Sequence, residues 1–127
     1  MSDVKVHDLV IVGAGPAALS AAIYTTREDI ETVLYEKAVP GGLISTTDWV
    51  DNYPGFPEGI EGLTLGDNMR KQAERFGAVI EVGEVMGIKK DGDVIKLDTT
   101  DGEIQAKTAL IATGSGYKKL GVPGEDT

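Results

Sequence analysis

The stretch Asp8-Leu9-Val10-Ile11-Val12-Gly13-Ala14-Gly15-Pro16-Ala17-Ala18 decides the fold. An apolar, β-branched run ends abruptly in glycines, and a sequence compatible with a helix follows, which predicts a strand, a tight turn and a helix. Gly13 permits the turn, Gly15 has no Cβ and lets a pyrophosphate approach its backbone, and Ala18 lets the helix pack closely on the strand. Pro16 suits the first turn of a helix whose N–H groups and positive dipole end would face the phosphates.

A second strand is predicted after this helix, which we expect to end near Arg27–Asp29. The strand, Glu31–Glu36, ends in an acid about 20 residues beyond the glycines, where a carboxylate would accept hydrogen bonds from a ribose hydroxyl. The alternative interpretation is an ordinary βαβ unit with a turn glycine and a surface Glu36. The combination of strand, glycines, helix and acid favours a dinucleotide-binding unit.

Composition and charge restrict the possible functions. The 127 residues suffice for one domain with a modest core, and a formal net charge of −9 opposes binding to nucleic acid or to an anionic membrane surface. The sequence contains no cysteine, which excludes disulfides, thiolate metal sites and thiol catalysis within this chain, and we assign no metal site. The single histidine, His7, is expected to be structural or exposed. The N-terminal segment is charged and its apolar run is short, so we expect a cytoplasmic protein.

The middle of the chain predicts a long loop followed by a helix and a strand. Residues 37–60 are punctuated by glycines and prolines and predict little regular structure. A helix is expected from about Thr64, with Thr64 and Asp67 spaced as a capping box, to a left-handed cap at Gly77. Its buried face would contain Leu65, Met69, Ala73 and Phe76. A short strand, Ala78–Val82, is expected next.

The last third predicts β structure. Two Asp-Gly pairs separate three β-rich runs, Val85–Lys89, Val94–Thr99 and Glu103–Ala106, which predicts a three-stranded antiparallel meander. A separate buried strand, Thr108–Ala112, is expected to end in a glycine-rich exit at residues 113–116 that sits against the nucleotide. Residues 120–127 are expected to form a loop.

Four segments together resemble a known family. They are Gly13-Ala14-Gly15-Pro16-Ala17-Ala18, Gly41-Gly42-Leu43, Val50-Asp51-Asn52-Tyr53-Pro54-Gly55-Phe56 and Ala112-Thr113-Gly114. Together they resemble the start of a low-molecular-weight thioredoxin reductase, a class II pyridine nucleotide-disulfide oxidoreductase, and the similarity runs over essentially the whole chain. The Asn-Tyr-Pro-Gly-Phe segment is specific to that reductase and its close flavoprotein relatives.

The resemblance implies an α/β fold of the glutathione-reductase type that binds FAD. We expect a Rossmann-like parallel sheet with a crossover helix and a three-stranded antiparallel β-meander. The resemblance implies that the glycine turn holds the pyrophosphate, that Glu36 holds the adenosine ribose and that Val82 lies near the adenine. It implies that Thr47 and Asn52 approach the ribityl chain and the flavin ring. The full set of implied FAD-binding residues is Gly13, Gly15, Pro16, Ala17, Glu36, Lys37, Gly41, Gly42, Leu43, Thr47, Asn52, Val82, Ala112, Thr113 and Gly114.

The sequence departs from the family pattern in three ways. Leu43 stands where many members have glutamine, so a polar contact that could tune the flavin potential or cofactor preference is lost or replaced. Ala18 replaces the usual third glycine, which the fingerprint tolerates. The family's Cys-x-x-Cys, its NADPH domain and its last FAD-domain segment have no counterpart in this chain. We therefore expect residues 1–127 to be the first segment of a discontinuous FAD-binding domain, in a truncated, proteolysed or split product with an open sheet edge.

Three functions stay open from the sequence. The first is an oxidoreductase in which a flavin accepts hydride from NADPH and reduces a disulfide that serves thioredoxin, in a homodimer. The second is a module that binds FAD, or its ADP half, without activity of its own. The third is a flavin reductase without the dithiol, such as a ferredoxin-reductase or flavodoxin-reductase relative. In an oxidoreductase of this kind the cofactor would carry the chemistry, and we assign no catalytic residue.

Overall fold

The computed structural model describes residues 5–114, in which two helices cover one face of a six-stranded mixed sheet. The elements in chain order are β1 (Val6–Val12), α1 (Pro16–Arg27), β2 (Thr32–Glu36), the 3-10 helix η1 (Gly42–Thr46), β3 (Trp49–Val50), β4 (Ile60–Glu61), α2 (Gly62–Arg75), β5 (Val79–Val82), β6 (Val85–Asp91), β7 (Val94–Thr99) and β8 (Gly102–Ile111).

The large sheet has the strand order β5-β2-β1-β8-β7-β6. Strands β5, β2, β1 and β8 are parallel, and β8, β7 and β6 form an antiparallel meander. The central strand β1 alternates its buried side chains, because Leu9 and Ile11 pack under the helices while Val10 and Val12 pack with Leu97 of the meander. The predicted Rossmann-like sheet with a β-meander is therefore confirmed.

The order of the parallel strands places a crevice at their carboxyl ends. The chain passes from β1 to β2 and β5 on one side and returns to β8 on the other side of β1. At such a reversal the loops that leave neighbouring strands diverge, and open α/β sheets bind their ligands there. The glycine turn after β1 and residues 112–114 after β8 meet at this point, since the Ala112 N–H donates to the Val12 carbonyl oxygen over 2.9 Å.

Strand β8 corrects two sequence expectations. The runs Glu103–Ala106 and Thr108–Ala112 were expected to be separate strands, but they form one strand that pairs with β7 over its first half and with β1 over its second. Lys107 does not interrupt this strand, because its side chain points away from the sheet core and reaches the Asp8 carboxylate at 3.2 Å.

The expected burial of the second half of β8 is also wrong. Leu110 is 39% exposed and Ile111 is 64% exposed. Within the described residues β7 covers β8 only as far as Ala106, so the edge from Lys107 onward has β1 on one side alone. The open sheet edge expected from the sequence is therefore present in this part of the chain. Ser115, Gly116 and the loop expected over 120–127 lie outside the described residues.

Helix α2 begins two residues earlier than expected and without the predicted capping box. Glu61 occupies the N-cap position, and no side chain caps the helix. The Thr64 hydroxyl instead donates to the Glu61 carboxylate, and Asp67 pairs with Arg70 at 2.7 Å. The box fails because the glycine at position 62 can pack closely against η1, which lets the helix start before Thr64. Leu65, Met69 and Ala73 are buried as predicted, whereas Phe76 is half-buried.

The other element boundaries agree closely with the sequence. Helix α1 ends at Arg27, and the two Asp-Gly pairs lie at the β6–β7 and β7–β8 turns. Gly77 follows α2 with φ +103°, as a left-handed cap requires. The loop over 37–60 is more regular than expected, because it contains η1 and the short β3–β4 pair. No helix among residues 5–114 is long and apolar enough to span a membrane.

A polar cluster fixes the amino ends of β1 and β2. Glu31 accepts a hydrogen bond from the Asp8 N–H at 3.0 Å, contacts the His7 ring at 2.7 Å and pairs with Lys5 at 3.4 Å. Burial raises the pKa of the Glu31 carboxyl, but the hydrogen bonds from His7 and Asp8 outweigh it and hold the pKa below its ordinary value. His7 thus has the structural role expected from the sequence.

This cluster predicts a pH-dependent contribution to stability. A carboxyl whose pKa is lower in the folded state stabilises the protein above its unfolded pKa of about 4.3, and the contribution disappears as the pH falls through the folded pKa. We expect Glu31→Gln to be less stable than the unaltered chain at pH 7, with a difference that shrinks by pH 3. Urea unfolding at both pH values measures this, with the exposed Glu58→Gln as a control. A difference that is equal at both pH values would contradict it.

Candidate functional site

The turn between β1 and α1 needs a glycine at position 13 for reasons internal to the chain. Gly13 has φ +114°, and its N–H donates to the Tyr35 carbonyl oxygen over 2.8 Å. A Cβ on Gly13 would collide with the backbone carbonyl of Ala112. Both the backbone conformation and the contact with residue 112 therefore exclude a side chain here.

Gly15 is different, because nothing in the described chain requires a glycine there. Its φ of −82° and ψ of −172° are open to any residue. The nearest atom that a Cβ on Gly15 would meet is the Gly42 Cα at 3.7 Å, which is an ordinary van der Waals contact. The bare backbone of Gly15 thus borders free space, which a ligand close to this backbone can fill.

The N-terminus of α1 opens onto the same space. No side chain among residues 5–114 caps it, its first turn has no acidic residue, and Pro16 is its first residue. The first helical hydrogen bond runs from the Leu19 N–H to the Gly15 carbonyl oxygen over 2.9 Å, which leaves the preceding N–H groups at the helix end. Ala17 is exposed in this first turn. An uncapped helix N-terminus of this kind favours an anion.

Glu36 connects the glycine turn to the loop after β2. Its carboxylate accepts the Ala14 N–H over 3.2 Å with one oxygen and the Ala38 N–H over 3.2 Å with the other. Each carboxylate oxygen has a further lone pair, so these bonds leave acceptor capacity for a ribose hydroxyl. Val82 lies next to Glu36, since the two residues pair across β2 and β5.

A single cleft collects most of the predicted residues. It has a volume of about 470 Å³, within the usual range of ligand sites. Among residues 5–114, the charged residues that line it are Glu36 and Lys37. The predicted residues that line it are Gly15, Pro16, Glu36, Lys37, Gly42, Leu43, Ala112, Thr113 and Gly114.

The other predicted residues lie around this cleft or away from it. Gly13 lines a smaller depression of about 100 Å³ that shares Glu36, Lys37 and Thr113 with the cleft. Gly41 is buried behind η1, and the Thr47 hydroxyl donates to the Leu43 carbonyl over 3.2 Å. Asn52 is exposed in the loop 51–57, and Val82 borders a groove between β5 and α2.

Sequence reasoning missed part of the cleft wall. Ala38, Val39, Ile44 and Thr46 also line it, although they were not among the predicted residues. They adjoin predicted residues in sequence, so the glycine pair at 41 and 42 was a signal that a turn would bring both flanks to the site. In the neighbouring depression burial raises the pKa of the Tyr35 hydroxyl above its ordinary value, and the charges of Glu81 and Asp101 add to the shift.

Comparison with known proteins identifies the family. A family model described as pyridine nucleotide-disulphide oxidoreductase matches residues 7–127. The chain belongs to this family. It is 42% identical over 127 residues to the thioredoxin reductase of Bacillus subtilis and 44% identical over 129 residues to that of Streptomyces clavuligerus. These alignments cover 98% and 99% of the chain but 39% of each relative, so the chain spans about two-fifths of the length of these oxidoreductases.

Solved structures of this oxidoreductase family confirm the Rossmann-type fold. A Lactococcus lactis thioredoxin reductase in its FR conformation superposes with a TM-score of 0.88 at 42% identity, covering 94% of this chain and 39% of that one. The crystal structure of T. acidophilum thioredoxin reductase gives a TM-score of 0.86 at 41% identity, covering 94% of this chain and 39% of that one. The resemblance seen in the sequence is therefore confirmed.

The two glycines of the turn predict opposite effects on stability. Gly13→Ala introduces a Cβ in a left-handed conformation against the Ala112 carbonyl, and we expect it to lower the free energy of unfolding by about 1–3 kcal/mol. Gly15→Ala fits the chain, and we expect a change within about 0.5 kcal/mol. Urea denaturation of both variants without any added ligand measures this. Equal destabilisation by the two variants would contradict the assignment of Gly15 to a ligand rather than to the fold.

Proposed function

We propose that this chain is the FAD-binding portion of an NADPH-dependent thioredoxin-disulfide reductase-like flavoprotein. The observation that supports it best is the free space at Gly15, because neither a positive φ nor a steric contact with the described residues requires a glycine there. A diphosphate would place its oxygens there, against the uncapped N-terminus of α1. Membership of the oxidoreductase family and the relatives' names support the choice of FAD.

The proposed contacts with FAD are assigned to different residues of the chain. The backbone at Gly13, Gly15 and Ala17 would hold the pyrophosphate, and Lys37 would add a positive charge near it. Glu36 would hold the adenosine ribose while keeping the turn and the following loop together. The walls of the cleft would be η1, through Gly42 and Leu43, and residues 112–114. Thr47, Asn52, Gly41 and Val82 do not line this cleft, so their assigned contacts stay predictions from the sequence.

The remaining parts of the proposal concern the whole protein. The chemistry that FAD would supply when bound is the uptake of a hydride from NADPH and the reduction of a disulfide. Because the relatives are longer, we propose that residues 1–127 are the first segment of a discontinuous FAD domain and that the NADPH domain and a later FAD segment complete it. Thioredoxin as partner, a homodimer and a cytoplasmic location follow from the same relationship and are part of the proposal.

A second candidate function shares the fold. Leu43 is a half-exposed apolar residue at the cleft, where a glutamine would offer a polar contact to the cofactor. This departure from the family pattern favours, as the alternative, a flavin reductase that does not use a dithiol. Reduction of thioredoxin by the longer protein that contains this chain would support the first function, whereas flavin reduction by NADPH without any transfer to thioredoxin would support the second.

Uptake of FAD by the purified chain tests the proposal directly. We expect the unaltered chain to bind FAD, and Gly15→Val to weaken binding by about 100-fold or more, because the side chain fills the space of the diphosphate. Flavin absorbance and fluorescence titrations measure this. Gly87→Val is the matched control, since a Cβ on Gly87 in β6 meets nothing closer than 3.5 Å and lies away from the cleft. Equal FAD affinity of the Gly15→Val variant and the control would contradict the assignment.

Glu36 gives a second test of the same site. Replacement by glutamine keeps an oxygen for the Ala14 N–H, gives up the bond to the exposed Ala38 N–H and removes the charge that would strengthen a bond to the ribose hydroxyls. We expect Glu36→Gln to weaken binding of both FAD and ADP by about 1–3 kcal/mol. Binding of FMN, which has no adenosine ribose, measures whether the loss is specific. A loss of the same size for FMN would contradict the proposed role.

A further inference from the structure

Helix α2 meets the cleft wall at one unusually close contact. Gly66 is buried in the middle of α2, and its backbone faces the turn that leads into η1. A Cβ on Gly66 would lie 2.5 Å from the Ser45 Oγ, and 3.4 Å and 3.6 Å from the Gly41 Cα and the Ile44 Cγ2. Only the hydroxyl of Ser45 is therefore too close, while the other two distances are ordinary contacts.

The same turn continues to the β1–α1 turn. The Gly41 N–H donates to the Ala14 carbonyl oxygen over 2.7 Å, which fastens the loop to the glycine turn. At the next residue, a Cβ on Gly42 would lie 3.0 Å from the Gly15 Cα. The backbones of α2, the turn at 41–42 and the start of α1 are thus in contact one after another.

Segment η1 transmits this arrangement to the cleft. Its residues Leu43, Ile44 and Thr46 line the cleft together with residues 112–114. Gly66 itself does not line the cleft. A displacement of Ser45 therefore moves the wall without changing any residue that would touch the cofactor.

We propose that Gly66 is a positioning residue that sets the distance between η1 and the β1–α1 turn, and thereby the width of the FAD cleft. The inference rests on the proposed function for its ligand. The Ser45 hydroxyl lies between Gly41 and Gly66, so Gly66→Ala drives it out of this space, changes the packing of η1 against α2 and weakens FAD binding. Removal of that hydroxyl restores the space, and within the described part of the chain it costs only a long hydrogen bond of 3.4 Å to the Pro40 carbonyl.

The test is a double-mutant cycle at positions 45 and 66 with FAD affinity and the bound-flavin absorbance spectrum as readouts. We expect Gly66→Ala to bind FAD about tenfold more weakly or worse. We expect Ser45→Ala alone, and Ser45→Ala combined with Gly66→Ala, to bind within about threefold of the unaltered chain. Thermal unfolding of each variant without FAD shows whether it is folded.

Gly62→Ala supplies the matched control on the same helix. A Cβ on Gly62 would collide with the backbone carbonyls of Ile44 and Thr47, which no side-chain removal relieves. We therefore expect Ser45→Ala to rescue Gly66→Ala but not Gly62→Ala. If Gly66→Ala fails to fold, the double variant must fold and bind FAD; a double variant that stays defective overturns the inference.

The failure of this inference is distinguishable from failure of the proposed function. Unaltered FAD affinity and spectrum in Gly66→Ala, with the unaltered chain binding FAD, overturns the inference alone. If the unaltered chain binds no FAD, the proposed function fails for this chain, and the ¹H–¹⁵N amide shifts of Gly15, Gly41 and Gly42 decide the positioning claim. Shifts that move in Gly66→Ala and return in the double variant support it, and shifts that do not move overturn it.

Discussion

The site depends on the close approach of three backbone segments at the carboxyl edge of the parallel sheet. The turn after β1 touches residue 112 after β8 through Gly13, and the first residue of η1, Gly42, touches the N-cap of α1. Backbones can approach this closely only where a Cβ is missing. Because the segments come from separate parts of the chain, their contact fixes the β1–α1 turn from two sides. The cleft at Gly15 is what remains between them.

The glycines at this edge have two different physical causes. The chain itself accounts for Gly13 and Gly42, because a side chain at either position would strike neighbouring backbone. It does not account for Gly15, whose conformation and surroundings accept a Cβ. A glycine increases the conformational entropy that the chain loses on folding, and at position 15 no packing contact compensates for this loss. The glycine therefore points to a requirement outside the apo fold. Together with the uncapped helix end, this favours a diphosphate over an ordinary structural turn.

The sequence predicts those features that depend on local chemistry. The apolar run of β1, the glycine turn and the small face of α1 lie within 20 residues of each other, so periodicity and turn rules suffice to find them. The Asp-Gly hairpins of the meander are local in the same sense. Glu36 was found from its spacing, although its bonds to Ala14 and Ala38 required the folded loops.

Features set by distant packing were not predictable in this way. The continuity of β8 depends on its pairing with β1, about 100 residues earlier in the chain. This pairing keeps Lys107 within the strand although its side chain is polar. The start of α2 depends on contacts of its glycines with η1 rather than on a capping side chain. The contact between α2 and η1 also places Ile44 and Thr46 at the cleft. In each case a long-range contact overrides the local propensity of the segment.

The account stands on the claim that the β1–α1 turn receives a diphosphate. A titration of ¹⁵N-labelled protein with ADP, followed by amide chemical shifts, tests this claim most directly because every N–H reports separately. The account predicts that the largest shifts fall at Gly13, Gly15, Ala17 and Gly42, with no change at the exposed loop around Asn52. Binding of ADP with its largest shifts elsewhere, and none at the glycine turn, would contradict it.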